Sequence, residues 1–152
     1  MGENSVTLDS WAVLAWLQRE PAGRLVQGLV TWAAGESDGS EVKPVLSLGP
    51  ERPTLLLNVV NLGEVFYVVG RRLGLGNARD TIRDLRAMPI RVFPAEESLV
   101  MEAAAIKVHH RVSFADAFAA ATAKINDSIL LTGDPELRAL TEITVHWMGS
   151  HQ

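Results

Sequence analysis

Residues 113–134 read SFADAFAAATAKINDSILLTGD, and this stretch decides the fold. Its first half is rich in small residues with helical spacing, which predicts a helix over Phe114–Ile125 with Asp116 in its first turn. Its second half contains the apolar run Ser128–Thr132, which predicts a strand that ends just before Asp134. A helix followed directly by an apolar strand is typical of a parallel sheet covered by helices.

The same alternation extends over the rest of the chain. Strands are predicted at Val6–Leu8, Ile90–Phe93 and Ile143–Trp147, while Thr54–Leu57 fits either a strand or the start of a helix. Helices are predicted at Ser10–Arg19, Arg24–Ala34, Leu62–Leu73, Asn77–Met88 and Glu96–His109, with a short one at Pro135–Leu140. This order predicts an α/β fold, a three-layer α/β/α sandwich with a mostly parallel central sheet.

Length and composition predict a single domain over residues 1–152. Hydrophobic residues make up 47% of the chain, which excludes a disordered protein. Residues 35–53 are rich in Gly, Ser, Pro and charge, and they predict a long polar loop with a short strand at Val45–Leu48. Loops of this length are usually functional or mobile.

The composition also bears on location and partners. The chain has no cysteine, which excludes disulfides and zinc–thiolate sites and favours a reducing cytoplasm. No apolar run approaches the roughly 18–20 residues of a membrane helix. The first five residues, Met-Gly-Glu-Asn-Ser, lack the basic and apolar segments of a secretory signal. We therefore expect a cytoplasmic protein without a membrane partner. A net charge of −4 does not by itself indicate nucleic-acid binding.

Four acids fall where predicted strands end or predicted helices begin: Asp9, Glu64, Asp116 and Asp134. In a parallel α/β sheet all these positions lie at the carboxyl edge, where ligands bind. No cation accompanies the acids in sequence, and gathered carboxylates are costly unless a metal ion neutralises them. Carboxylates with water suit Mg²⁺ or Mn²⁺. The pattern therefore indicates a metal site.

Each acid also has a simpler explanation as a helix cap. Asp9 and Asp134 precede predicted helices, the latter with a proline at the first helical position. Asn61-x-x-Glu64 and Ser113-x-x-Asp116 resemble capping boxes. Capping alone does not explain why all four fall at one edge, and a helix start favours negative charge whether or not it binds metal.

The order of these motifs resembles that of a PIN domain, in particular the VapC-like toxin ribonucleases. In that family an Asp ends the first strand before a small polar residue, as Asp9 does before Ser10. A Glu follows in a later helix, here Glu64 in Asn-Leu-Gly-Glu-Val. The third acid is Asp116 in an Ala-Asp-Ala setting, and the fourth closes Thr-Gly-Asp at Asp134.

This resemblance implies a metal-dependent endoribonuclease that cleaves single-stranded or structured RNA, as the toxin of a toxin–antitoxin pair. It implies catalytic roles for Asp9, Glu64, Asp116 and Asp134, with Mg²⁺ or Mn²⁺ held by Asp9, Asp116 and Asp134. Ser10 and Thr132 would orient the acids. Arg71, Arg72 and Arg79 are candidate phosphate contacts, although a solvated helix face explains them equally well. The expected partners are RNA, a cognate antitoxin and a second copy of the chain.

Other interpretations stay open. One is a non-catalytic PIN-like module that binds metal or a partner. Haloacid-dehalogenase phosphatases also have an Asp after the first strand, but they want a second Asp where Trp11 stands. Phospho-receiver domains want an acidic pair and a late Lys, and neither pattern is present. The four tryptophans are more typical of a core than of base stacking, and one or two of them fit an interface.

Overall fold

The computed structural model describes residues 4–149. The elements in chain order are β1 Ser5–Leu8, α1 Ser10–Leu17, α2 Gly23–Ala33, α3 Lys43–Leu46, β2 Thr54–Asn58, α4 Val59–Leu73, α5 Leu75–Ala87, β3 Ile90–Phe93, α6 Glu97–His109, α7 Phe114–Ile125, β4 Ile129–Thr132, a 3₁₀ helix Pro135–Ala139 and β5 Val145–Trp147. The first three residues of the amino-terminal segment considered as a secretory signal, and residues 150–152 at the other end of the predicted domain, lie outside the described residues.

The five strands form one sheet in the order β3-β2-β1-β4-β5, and every pairing is parallel. The central strand β1 pairs with both neighbours, so that Val6 lies opposite Leu55 on one side and Ile129 on the other. Strands covered on both faces must be apolar throughout, which the runs of leucine and valine satisfy. The predicted α/β/α sandwich is confirmed, with a wholly parallel sheet.

Two hydrophobic cores lie on opposite faces of the sheet. Helices α1, α2, α4 and α5 cover one face, and α6 and α7 cover the other. Successive residues of a strand point to opposite faces, so Leu131 belongs to the first core and Leu130 to the second. The fully buried alanines Ala119–Ala121 bring the α7 backbone close to the sheet. This packing holds the start of α7, with Asp116, at the sheet edge.

The predicted short strand at Val45–Leu48 is wrong. Residues Lys43–Leu46 form a helical turn, with a proline near its start and Ser47 in the left-handed conformation at its end. Leu46 is buried against the core next to α2. Apolar residues in so short a run do not separate a strand from a helical turn, and here the proline and the packing decide.

The predicted start of α4 is also wrong. Asn58, at the end of β2, is the N-cap, and its side chain accepts a hydrogen bond from the backbone N–H of Asn61 at 2.8 Å. The helix therefore begins three residues before the predicted Leu62, and Glu64 lies in its second turn rather than its first. The ambiguous run Thr54–Leu57 is a strand.

The remaining predicted elements are confirmed to within a few residues at their ends. Within residues 4–149, no helix combines the length and the apolar character that crossing a membrane requires.

Candidate active site

The ends of β1 and β4 bring two of the predicted acids together. Leu8 and Leu131 are partners in the sheet, and the backbone N–H of Asp9 donates to the carbonyl of Leu131 at 3.4 Å. Asp134 is the second residue after β4 and is the N-cap of the 3₁₀ helix. Because the two strands are adjacent and parallel, their carboxyl ends place both aspartates at one edge of the sheet.

Asp9 is held beneath this edge, with 1% of its surface exposed. One carboxylate oxygen accepts the backbone N–H of Ala12 at 2.8 Å, which makes Asp9 the N-cap of α1 as predicted. The other oxygen accepts the hydroxyl of Thr132. The same hydroxyl accepts the backbone N–H of Asp134 at 3.0 Å. Thr132 therefore connects the two aspartates, and it restricts how Asp9 can turn.

Three carboxylates converge above Asp9. Asp116, Asp134 and Glu136 each contribute one oxygen, and these three oxygens lie within 4.8 Å of one another. The backbone N–H of Asp116 donates to the capping hydroxyl of Ser113 at 3.1 Å, which fixes the first turn of α7. Glu136 was missed by the sequence analysis. Its signal is its place in the first turn of the helix that Asp134 caps, two residues after that acid.

Glu64 reaches the same cleft from α4. Its Oε1 accepts the Ser10 hydroxyl at 2.8 Å and the Asn61 side-chain amide at 3.0 Å. Asn61 also donates to the carbonyl of Ala115 at 3.1 Å, which ties α4 to the start of α7. The sequence predicts Asn61 as a cap, whereas its buried side chain donates to Glu64 and orients it. A side chain that reaches across two helices has no local sequence signal.

These residues surround an open cleft of about 450 Å³. It is lined by Ser10, Trp11, Leu14, Glu64, Ser113, Asp116, Asp134, Pro135 and Glu136. None of these lining residues is a lysine, arginine or histidine. The predicted phosphate contacts Arg71 and Arg72 lie in the last turn of α4, and Arg79 lies in α5. None of the three lines the cleft.

Burial, and to a smaller extent neighbouring carboxylates, raise the pKa of two acids. Burial is the main reason that the pKa of Asp9 rises from 3.8 to about 7, with smaller contributions from the charges of Glu64 and Asp134, against the hydrogen bonds from Thr132 and Ala12. The pKa of Asp116 rises to about 8 because of burial, then because of its hydrogen bond with Asp134 and the charge there. Without a cation, neutral pH therefore leaves protons on this cluster.

The cluster fits a hard divalent cation. Its donors are carboxylate oxygens alone, which is the ligand type of Mg²⁺ and Mn²⁺ rather than of zinc or copper. A cation would also remove the repulsion that raises the pKa of Asp9 and Asp116. Asp116, Asp134 and Glu136 are brought together for such a role, and Asp9 lies near enough for its charge to act on Asp116.

The fold and the site together define the class of this protein. It has a parallel α/β sheet with a cluster of carboxylates beyond the ends of its strands. The chain belongs to the PIN domain family, which matches residues 7–143. No curated protein sequence matches it.

Solved structures share the fold at low sequence identity. VapBC2 from Rickettsia felis, bound to a DNA fragment from its promoter, has a TM-score of 0.69 at 10% identity and covers 93% of this chain and 97% of its own. VapBC-1 from nontypeable Haemophilus influenzae has a TM-score of 0.66 at 13% identity, with 95% and 98% covered. VapC20 from Mycobacterium tuberculosis, a sarcin–ricin loop cleaving toxin, has a TM-score of 0.57 at 18% identity, with 91% and 98% covered.

Proposed function

We propose that this protein is a divalent-metal-dependent endoribonuclease and the toxin of a toxin–antitoxin pair. The observation that carries the proposal is the group of three carboxylates, Asp116, Asp134 and Glu136, in a cleft whose lining has no cation. Membership of the PIN domain family supports a nuclease. The likeness to VapC20, a toxin that cleaves a loop of RNA, favours RNA as the substrate.

The proposed catalytic acids are Asp9, Glu64, Asp116 and Asp134. Mg²⁺ or Mn²⁺ would be held by Asp9, Asp116 and Asp134, and the geometry adds Glu136 to this set. When bound, such an ion supplies an activated water and neutralises charge that develops on a phosphodiester.

The remaining contacts of the site keep these acids in place. The Thr132 hydroxyl donates to one oxygen of Asp9 and the backbone N–H of Ala12 donates to the other, so each oxygen keeps one lone pair for a ligand. Ser10 and Asn61 donate to the same oxygen of Glu64, so the second oxygen can point into the cleft. Groups that hydrogen-bond to metal-binding carboxylates typically change affinity or activity 10- to 100-fold.

The proposed partner is a cognate antitoxin. Four of the similar structures are VapBC proteins, and two of the four were solved with DNA bound. An acidic cleft would receive a basic side chain from such a partner, an arginine above all, because it pairs with two carboxylate oxygens at once. This contact would occupy the cleft and exclude RNA.

The proposed homodimer would form through the exposed face of α6. Met101 and Val108 lie seven residues apart on that face, 61% and 76% exposed, with Ala104 and Ala105 between them at helical spacing. Glu97 lies in the first turn and Lys107 in the last. Two copies packed antiparallel would pair the apolar stripes and bring opposite charges together. Val108→Glu should then yield a monomer by light scattering, while a dimer in that variant would reject this surface.

The test of the function is cleavage by purified protein. Single-stranded and structured RNA, with single-stranded DNA of the same sequence, are incubated with Mg²⁺ or Mn²⁺, and then with excess chelator. We expect RNA cleavage that requires the ion. Expression in cells should be toxic, and Asp9→Ala should abolish toxicity. Cleavage that persists in chelator would overturn the proposal, and RNA binding without cleavage under every condition would favour the non-catalytic module.

A further inference from the structure

Part of the lining of the acidic cleft is apolar. Trp11, Leu14 and Pro135 line it together with the carboxylates. The core-facing residues of α1 are Ala12, Val13 and Ala15, all buried, whereas Trp11 is partly exposed and belongs to neither hydrophobic core. A large aromatic ring at the surface of an otherwise polar site is therefore not explained by core packing.

The indole is fixed next to the acids. It packs against Gly133, where an added Cβ would lie 2.2 Å from a ring atom of Trp11, so only glycine fits between Thr132 and Asp134. From the other side, the ring N–H of Trp147 donates to the carbonyl of Gly133 at 2.9 Å. The loop that carries Asp134 is thus seated against Trp11, and the ring has a defined place beside the metal-binding carboxylates.

The charge of the cleft favours contacts with RNA that do not depend on charge. Four carboxylates line it without a basic residue among the lining residues, and the net charge of the chain is −4. RNA is a polyanion, so this lining contributes little binding free energy beyond the one phosphate that a bound ion would hold. The remaining binding free energy must come from contacts with uncharged groups. Stacking of a base on an aromatic side chain strengthens binding roughly 5- to 100-fold per base, whatever the base.

We infer that Trp11 is the platform on which a nucleobase next to the scissile phosphodiester stacks. This inference rests on the proposed function and specifies its substrate. A base can reach the ring only when it is free of its own stack, so the cleft would accept single strands and loops and reject continuous duplex.

The first test is a comparison of Trp11→Leu with Trp11→Phe. Leucine keeps an apolar contact with Gly133 but has no ring, whereas phenylalanine keeps a ring. We expect KM for a single-stranded RNA to rise roughly 5- to 100-fold in Trp11→Leu and far less in Trp11→Phe, with kcat within about twofold in both. Trp16→Leu and Trp16→Phe are matched controls, because Trp16 binds Gln27 on the α2 side of α1, and they should change neither constant.

The second test does not require cleavage. In an Asp116→Asn background, which removes a charge that opposes RNA, single-stranded RNA should quench indole fluorescence and duplex RNA of the same sequence should not. Trp11→Phe should abolish the quenching and Trp16→Phe should retain it. If the wild type cleaves no RNA, the proposed function fails, and this measurement still decides the role of Trp11.

Four results would each overturn the inference. The first is an unchanged KM in Trp11→Leu, and the second is quenching that survives in Trp11→Phe. The third is a loss of Mg²⁺ affinity in Trp11→Leu as large as the rise in KM, which would give Trp11 a structural role through Gly133. The fourth is weakened binding of the cognate antitoxin with RNA kinetics unchanged, which would assign the ring to the protein partner.

Discussion

The two edges of the central sheet carry cavities of nearly equal size that differ in whether basic residues accompany their acids. The carboxyl edge has the acidic cleft of about 450 Å³, and the amino edge has a polar cavity of about 470 Å³ lined by Lys124 and Glu142 among others. At the amino edge Lys124 pairs with Glu102, and Glu142 pairs with His110, both at 2.6 Å. Volume therefore does not distinguish a site from a surface groove, whereas uncompensated charge does.

The largest expected effect comes from neutralising one acid at each edge. Asp116→Asn should reduce RNA cleavage to below about 1% of wild type, because it removes a proposed ligand rather than a supporting hydrogen bond. Glu142→Gln, the matched change at the amino edge, should leave the rate unchanged. Initial rates under saturating Mg²⁺ compare the two variants. Similar rates in both would erase the functional difference between the edges.

The next largest effect is expected in the pH dependence of stability, because the two acids with raised pKa values lie at the carboxyl edge. The pKa values of Asp9 and Asp116 are raised to about 7 and about 8 in the folded protein, so it holds more protons than the unfolded chain between about pH 4 and pH 8. Without metal, stability should therefore fall as pH rises through that window. For the fully buried Asp9 the loss is on the order of 4 kcal/mol.

Urea unfolding at a series of pH values, with and without Mg²⁺, measures this loss. Mg²⁺ should flatten the profile, and Asp9→Asn should stabilise the metal-free protein at pH 8 because its amide needs no counter-charge. A metal-free profile that rises from pH 5 to pH 8 would contradict the raised pKa values.

A smaller effect is expected from the hydroxyl that joins two acids. Thr132→Val removes the donor to Asp9 and the acceptor for the backbone N–H of Asp134, and it should weaken Mg²⁺ binding about 10- to 100-fold. Thr132→Ser should restore most of the affinity. Thr144→Val, at the exposed amino-edge cavity, is the control. Calorimetric titration with Mg²⁺ gives the three affinities, and an unchanged value in Thr132→Val would reject the orienting role.

The smallest effect is expected from an ion pair at the amino edge. Lys124→Met breaks the contact with Glu102, and both side chains are partly exposed to water, 42% and 29%. Exposed pairs contribute little, so the melting temperature should shift by less than about 3 °C with cleavage unchanged. A large drop in the melting temperature would show that the balanced edge also depends on its charges.

For local physical reasons, the sequence determined the layers of the fold. It also determined that three of the four acids, Asp9, Asp116 and Asp134, lie at the starts of helices. Period and length separate the alanine-rich helix α7 from the strand β4, and caps at Asp9, Ser113 and Asp134 mark helix starts within a few residues of chain. The run at Val45–Leu48 is too short for its hydrophobic spacing to distinguish a strand from a helical turn. The start of α4 was misplaced because two asparagines, Asn58 and Asn61, both fit a cap and only the contacts choose between them.

Tertiary structure alone decided which residues surround the acids in the cleft. Glu136 joins Asp116 and Asp134 because the 3₁₀ helix turns it towards α7, and Ser10 donates to Glu64 because α1 packs beside α4. Likewise, Trp11 lines the cleft because Gly133, the residue after β4, lies against its ring. Helix caps and hydrophobic periodicity depend on residues within one or two turns of each other, so they can be predicted directly from the sequence. Charge balance, pKa and the shape of a cleft depend on groups that are distant in sequence, so they exist only once the sheet has brought its strand ends together.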